Sequence, residues 1–437
     1  MKANVSKMML LGMLLLILSP TTHQVKAQGA QAHLKNLVFE NEKDNYVQIP
    51  FELINNLMII SVVINSSDSL KLIFDSGVTY PIISDPAIIS SLQFDKKKIR
   101  KVNLKGWGEK KGIIAFHSWG NTLKLEGVIG LNQDIIYTNQ DVLMLSKNLG
   151  MHVHGLIGAT IFNHFCVHID YIQKKITLYD QEFYDAKRRR KFQKRYDVFP
   201  LEVDRNRSYI VSTAKKNEEE TSYKLKLLVD TGASHALSIL EKENSPMRAS
   251  VKAIRDHLGV GINGDLYGKV NRLDLWKMGE FIIDDPIVKF PDLDNNHLKL
   301  MGEDRHGSIG SEILRRFSVV IDYKNQEILL KKNRTFKQEF QYNYVGLDFI
   351  KPYPSLPFYE VSQIREYSPA FKAGIKKGDR LIRINGTSVN ALSMQEVRKL
   401  FRGKDGKKLS LGILDYQGVS KKLVLTLEDP FKLSSND

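Results

Sequence analysis

The chain repeats itself. Residues 156–178 read LIGATIFNHFCVHIDYIQKKITL and residues 308–330 read SIGSEILRRFSVVIDYKNQEILL. The two share Ile-Gly, an Ile four residues on, Phe, Val, Ile-Asp-Tyr and a closing Ile-x-Leu. Upstream of each copy an apolar run delivers an aspartate: LKLIFDSGVTYPIIS at 70–84 and LLVDTGASHALSI at 227–239. Gly158 to Gly310 is an offset of 152 residues, and Asp75 to Asp230 an offset of 155. Two signatures recurring in one order at nearly one spacing mark a duplication. The fold must therefore be built from two like halves, each with a carboxylate at the end of an apolar segment.

The local pattern is β. MIISVVI (58–64), KLKLLVD (224–230) and FSVVIDY (317–323) alternate or run apolar between Gly, Asn and Asp punctuation. Short helices fit after each Ile-Gly, at ATIFNHF and SEILRRF. A strand ending in Asp-Ser/Thr-Gly turns sharply, because glycine enters conformations that a Cβ forbids. A lone Asp-Ser-Gly is an ordinary surface turn. Two in matching repeat positions are another matter, because burying a carboxylate is costly unless it is paired or does chemistry.

Asp75-Ser76-Gly77 and Asp230-Thr231-Gly232, each followed by an Ile-Gly that ends in Gly158 or Gly310, resemble the signatures of aspartic peptidases of the retropepsin and pepsin kind. Two such halves in one chain look like the bacterial aspartyl protease family, over roughly residues 46–332. The resemblance implies two pseudo-symmetric β lobes, at 28–185 and 186–335, whose Asp-x-Gly turns meet at a pseudo-twofold axis. Asp75 and Asp230 would then be the catalytic pair, with Ser76 and Thr231 locking the turns across the junction. Two carboxylates near contact share a proton, so one activates a water while the other hydrogen-bonds the scissile carbonyl. Val78 and Ala233 stand where pepsin-like enzymes often carry a hydroxyl, and its absence predicts activity nearer neutral pH. The glycine-rich stretches 103–116 and 257–270 are candidate flaps over a cleft. Trp107 and Tyr267 within them read first as packing aromatics.

Beyond KKNRTFKQEFQYN (331–343), read as a polar, basic linker, the pattern changes. Ser368-Pro369-Ala370, Ala373-Gly374, Gly378-Asp379 and Ile384-Asn385-Gly386 resemble a PDZ domain in order and spacing, over about 340–430. SMQEVRKLF (393–401) has helical periodicity, and KLSLGILD and KKLVLTL supply closing strands. The resemblance implies capture of an extended peptide beside a strand, its terminal carboxylate held by the loop Gly346, Leu347, Asp348 and Phe349. Asp348 replaces the second glycine of the usual Gly-Leu-Gly-Phe. A negative side chain there favours an internal peptide segment, or packing against the lobes, over tight C-terminal recognition.

The remaining features bound the setting. Lys2 and Lys7 precede the apolar run MMLLGMLLLIL (8–18) and a Val25-Lys26-Ala27 cleavage-like site. That reads as a signal peptide over 1–27, too short to span a bilayer, and predicts a periplasmic or secreted protein with no later transmembrane segment. A single cysteine, Cys166, excludes an intramolecular disulfide and reads as a small buried hydrophobe. The net charge of +15 falls with the three leader lysines, and the densest cluster, KRRRKFQKR (187–195), reads as a solvated linker. No nucleic-acid motif, metal-ligand spacing or serine-hydrolase elbow is present. His152-x-His154 reads as a solvated loop and His235 as structural.

These expectations compose a mainly β, exported aspartic endopeptidase that needs no cofactor and acts on protein or peptide. The rivals are a polypeptide-binding protein that uses the same fold without cutting, and a protease that requires PDZ engagement.

Overall fold

The computed structural model describes residues 37–104, 112–215, 222–243, 245–262, 264–294, 298 and 304–433. The expected signal peptide and the tip of the first flap, with Trp107, lie outside the described residues. The protein is mainly β.

Each half contains the same strand arrangement. In the first, Leu57–Ile64 runs antiparallel to Leu70–Asp75, which lies parallel to Gly155–Gly158 with Asp75 opposite Gly158. In the second, Arg207–Lys215 runs antiparallel to Ser222–Asp230, which lies parallel to Gly307–Gly310 with Asp230 opposite Gly310. A short strand, Ile82–Ile83 or Leu237–Ile239, borders the Ile-Gly strand on its other side. Each aspartate thus ends a central strand buried between two neighbours, which is why these strands read as unbroken apolar runs.

Glycine is required beside those strands by space. A Cβ on Gly158 would lie 1.5 Å from the Asp75 carbonyl oxygen, and one on Gly310 would lie 2.2 Å from that of His235. Helical turns follow at once, Ala159–Phe162 and Ser311–Leu314.

A further sheet interleaves the halves. Its order is Asp197–Pro200, Glu327–Lys332, Phe317–Asp322, Cys166–Asp170, Lys175–Tyr179 and Tyr46–Pro50. The central pair is antiparallel, with Val167 opposite Ile321 and Ile169 opposite Val319. One continuous apolar core runs through both halves, from Leu37 to Phe340.

Three segments differ from the sequence-based expectation. The basic run 187–195 is no solvated linker: it continues a helical stretch from Gln181 to Gln193. Asp180 caps this stretch by accepting from the Phe183 N–H at 2.8 Å. Phe192 packs it against His168, Tyr179 and Tyr184, and Arg189 bonds Glu327. Aromatic anchors spaced among the cations dock one face, while most of the cations stay at the surface. The linker 331–343 is likewise packed down. Phe340 is buried under the Arg316 guanidinium at 3.8 Å, and the Phe336 carbonyl accepts from Arg316 at 3.0 Å. His154 is also not solvated, because its Nδ1 accepts from the Lys71 N–H at 3.0 Å.

The C-terminal domain has its own apolar core. Its sheet runs in the order Leu347–Ile350, Tyr359–Ile364, Arg380–Ile384, Lys408–Leu414 and Ser420–Thr426, so Leu347–Ile350 is an edge strand. The helix Met394–Phe401 starts at a capping box in which Ser393 and Glu396 satisfy each other's backbone N–H, and it buries Met394, Val397 and Phe401.

Candidate active site

The two turns meet. The Ser76 N–H donates to Thr231 Oγ1 at 2.9 Å, and the Thr231 N–H donates to Ser76 Oγ at 3.1 Å. Each hydroxyl then donates to a carbonyl of the opposite half, Ser76 to Val229 at 2.7 Å and Thr231 to Phe74 at 2.9 Å. Both side chains are fully buried, so four hydrogen bonds shielded from water fix one turn against the other.

This junction brings the Asp75 and Asp230 carboxylates side by side over Gly77. The Gly77 N–H donates to Asp75 Oδ1 at 2.7 Å and the Gly232 N–H to Asp230 Oδ1 at 3.2 Å. Both glycines are needed for clearance. A Cβ on Gly232 would lie 2.1 Å from Asp75 Cγ, and one on Gly77 would touch both carboxylates, at 3.0 and 3.4 Å.

The electrostatics of the two aspartates differ. Burial, then the charge of Asp230, drives the Asp75 carboxyl far above the usual carboxylate range. Burial also raises Asp230, but Arg305, the Gly232 N–H and Arg207 oppose it. Both carboxyls are raised and the pair titrates as a unit. The Gly77 N–H and Arg207 oppose the rise of Asp75 as the Gly232 N–H and Arg207 oppose that of Asp230, and Arg305 adds to the opposition at Asp230.

Arg305 and Arg207 carry no motif, and nothing in the sequence singles them out. Arg305 is buried, its Nε donating to the Gly307 carbonyl at 3.0 Å, and burial pulls its pKa down to about 10. His235 is bonded through Nε2 to Ser308 Oγ at 3.0 Å, and burial, with Lys289 and Arg305, lowers its pKa to about 3. It is a neutral group beside the pair.

The duplication also runs deeper than the two signatures. Lys226 N–H donates to His306 Nδ1 at 2.9 Å as Lys71 does to His154, and the two lysines reach Glu202 and Glu52 through their ammonium groups. A signal for this is present in the paired LKL and HG of LKLIFD, LKLLVD, HGLIG and HGSIG.

A cleft of about 880 Å³ opens over the carboxylates. Its first-half wall is mostly apolar, with Leu57, Ile73, Ile82, Ile136, Leu143 and Leu156, and carries Asn55, Thr79, Tyr80 and Asn148 as polar members. On the other side stands the hairpin of Ile254–Gly261 and Gly264–Arg272, which contributes His257 to Ile262. Tyr267 packs against His257 with the rings tilted and their centroids 5.3 Å apart, and it does not line the cleft.

The C-terminal domain closes the far end with Leu347, Asp348, Phe349, Arg398, Phe401 and Arg402. It is bonded to both halves. Asp348 Oδ2 lies 3.1 Å from His257 Nδ1, and Arg365 Nη1 donates to Asp256 at 2.9 Å, a carboxylate that Tyr342 also reaches. Lys351 N–H donates to the Lys147 carbonyl, Arg398 Nη2 to that of Asn148, and Gln395 to that of Leu53. Burial pulls the His257 imidazole down, but its bonds to Asp348 and Asp265 outweigh this and its pKa is raised. Of the loop residues, Gly346 adopts φ +74, and its N–H already donates to Asn343 Oδ1 at 3.0 Å. No cluster with metal-ligand composition occurs among the described residues.

Fold and site together define a mainly β protein with a two-carboxylate cleft, capped by a small C-terminal domain with its own core. That module is a PDZ domain, with residues 360–415 matching the PDZ family profile. The chain is also similar to the carboxy-terminal processing protease CtpA of Bacillus subtilis (strain 168), 50% identical over 44 residues. That match covers 10% of this chain and 9% of the relative's length.

Proposed function

We propose that the chain is an exported aspartic endopeptidase, cutting polypeptide in the cleft between its two β lobes under the influence of its PDZ domain. The observation that carries this reading is the buried carboxylate pair, held by reciprocal Ser76–Thr231 bonds at the floor of a cleft large enough for an extended chain. In this reading the export signal is residues 1–27, and the protein works in the periplasm or outside the cell. The processing protease that resembles a short part of the chain agrees with proteolysis as the activity.

The roles follow from the asymmetry of the pair. Asp230, whose charge Arg305 favours, accepts a proton from the attacking water. Asp75, kept protonated by burial, donates a hydrogen bond to the scissile carbonyl. The tetrahedral diol collapses as a proton passes to the leaving nitrogen. Apolar residues on the first-half wall favour apolar substrate side chains next to the cut.

The test is cleavage of casein by the mature chain between about pH 3 and about pH 8, alongside Asp75→Asn and Asp230→Asn. Loss of cleavage in both variants is expected. Cleavage that survives either substitution defeats the shared-pair mechanism, and no cleavage by the parent chain at any pH supports a binding role instead.

A further inference from the structure

The cleft has a cationic end that the chemistry at the aspartates does not use. Lys289, Arg398 and Arg402 all line it. Arg398 Nη2 is engaged by the Asn148 carbonyl, but Nη1 is buried with no hydrogen-bond partner among the described residues. A buried guanidinium nitrogen without a partner is costly, and a ligand that accepts from it removes the cost. Lys289 is half-buried and spends one hydrogen bond on the Leu258 carbonyl at 2.8 Å. Among the described residues, neither has a carboxylate within ion-pair distance, and the Arg402 side chain makes no hydrogen bond.

The acidic groups nearby are mostly committed. Asp348 is paired to His257, and Asp256 to Arg365 and Tyr342. Glu312 also lines the cleft and, with Asp348 and Asp256, exerts its charge on Lys289. In the loop expected to hold a peptide's carboxylate, Asn343 already takes the Gly346 N–H and the Asp348 side chain is held at 3.1 Å by His257. The cations that remain belong to the PDZ helix Met394–Phe401, the residue after it and the strand Ile287–Pro291.

Resting on the peptidase reading, we propose that Arg398, assisted by Arg402 and Lys289, binds the C-terminal carboxylate of the polypeptide whose chain occupies the cleft over Asp75 and Asp230. Carboxylate capture is moved from the PDZ loop backbone to side chains that share one cavity with the aspartates. A substrate is thereby gripped by its terminus and cut within the span of the cleft.

Binding measured without cleavage tests this. The full chain carrying Asp230→Asn is titrated into a fluorescein-labelled, unstructured apolar peptide made as the free acid, as the amide, and as an amide ending in Glu. The free acid is expected to bind about tenfold or more tightly than either amide, the loss of one charge-assisted interaction. Arg398→Gln and Arg402→Gln should each reduce that preference while leaving amide binding in place, and Arg398→Lys should retain part of it. Arg402→Gln disturbs no hydrogen bond among the described residues, so its result stands even where Arg398→Gln loosens the domain contact. Equal binding of acid and amide, no binding of any form, or a preference that survives both glutamine variants overturns the proposal. A Glu-ended amide that binds as tightly as the acid overturns the terminal assignment. Because the readout is binding, an absence of peptidase activity leaves this result interpretable.

Discussion

Thr231→Val isolates the junction that joins the two turns. Valine keeps the shape of threonine, so no cavity opens and the change removes only the hydroxyl. The Ser76 N–H loses its acceptor at 2.9 Å, and the Phe74 carbonyl loses its donor at 2.9 Å. Thr231 and Ser76 are fully buried, so water does not replace what is lost. Leaving a buried polar group unsatisfied costs about 1–3 kcal/mol, so two such groups cost about 2–6 kcal/mol. In a domain of this size the lower figure already moves the thermal midpoint by about 4 °C. Calorimetry of the mature chain, with urea unfolding beside it, reads the effect. Ser76→Ala strands the Thr231 N–H and the Val229 carbonyl instead, and should cost a similar amount. The two changes strike one network, so the double variant should lose less than the sum. A Thr231→Val chain within about 0.5 kcal/mol of the parent, or strict additivity in the double variant, refutes the claim that these bonds hold the halves in register.

Other outcomes follow from the same geometry. Asp75→Asn should stabilise the fold at neutral pH while abolishing cleavage. Asp75 is raised from the usual carboxylate range to about 8, so the folded state binds the extra proton and stability declines as pH rises through that window. The unfolded chain gives up this proton from about pH 4 upward while the folded chain keeps it, so the gain should be present in melts at pH 7 and vanish near pH 4. The same shared proton predicts cleavage that falls above about pH 8, visible in a kcat/KM profile. Gly232→Ala places a methyl 2.1 Å from Asp75 Cγ and should cut kcat by about 100-fold or more, with a much smaller effect on the melt. His257→Gln should loosen the PDZ contact, read as faster proteolytic nicking near residue 343. In the parent chain that contact weakens as pH rises through the raised His257 pKa, and also at acid pH as Asp348, which His257 holds below its usual value, takes up a proton.

The duplication, the β character and the two Asp-x-Gly turns are legible in the sequence because each rests on local chemistry. Apolar runs end in a carboxylate, and glycine stands where backbone passes close. Arg305 and Arg207 are not legible, because their contribution is electrostatic and depends on burial beside Asp230, which no spacing records. Charge alone makes linkers of the basic stretch around Phe192 and the segment around Phe340. In both, a few aromatics decide the outcome by packing onto the core, and the cations ride along. Asp348 is legible as a departure from the usual loop, but its partner His257 lies 91 residues away in sequence. Only the fold brings them together.

The interleaved sheet imposes an order of events on the newborn chain. Cys166–Asp170 finds its neighbour in Phe317–Asp322, a strand of the other half. Until that strand arrives, the first half presents a raw hydrogen-bonding edge with nothing of its own to cover it. Maturation therefore waits on the synthesis of nearly the whole two-lobed body, and a chain interrupted near its middle is an open template. The symmetry that makes the edge fit its partner also makes it fit a second interrupted copy, so arrested chains should pair with one another.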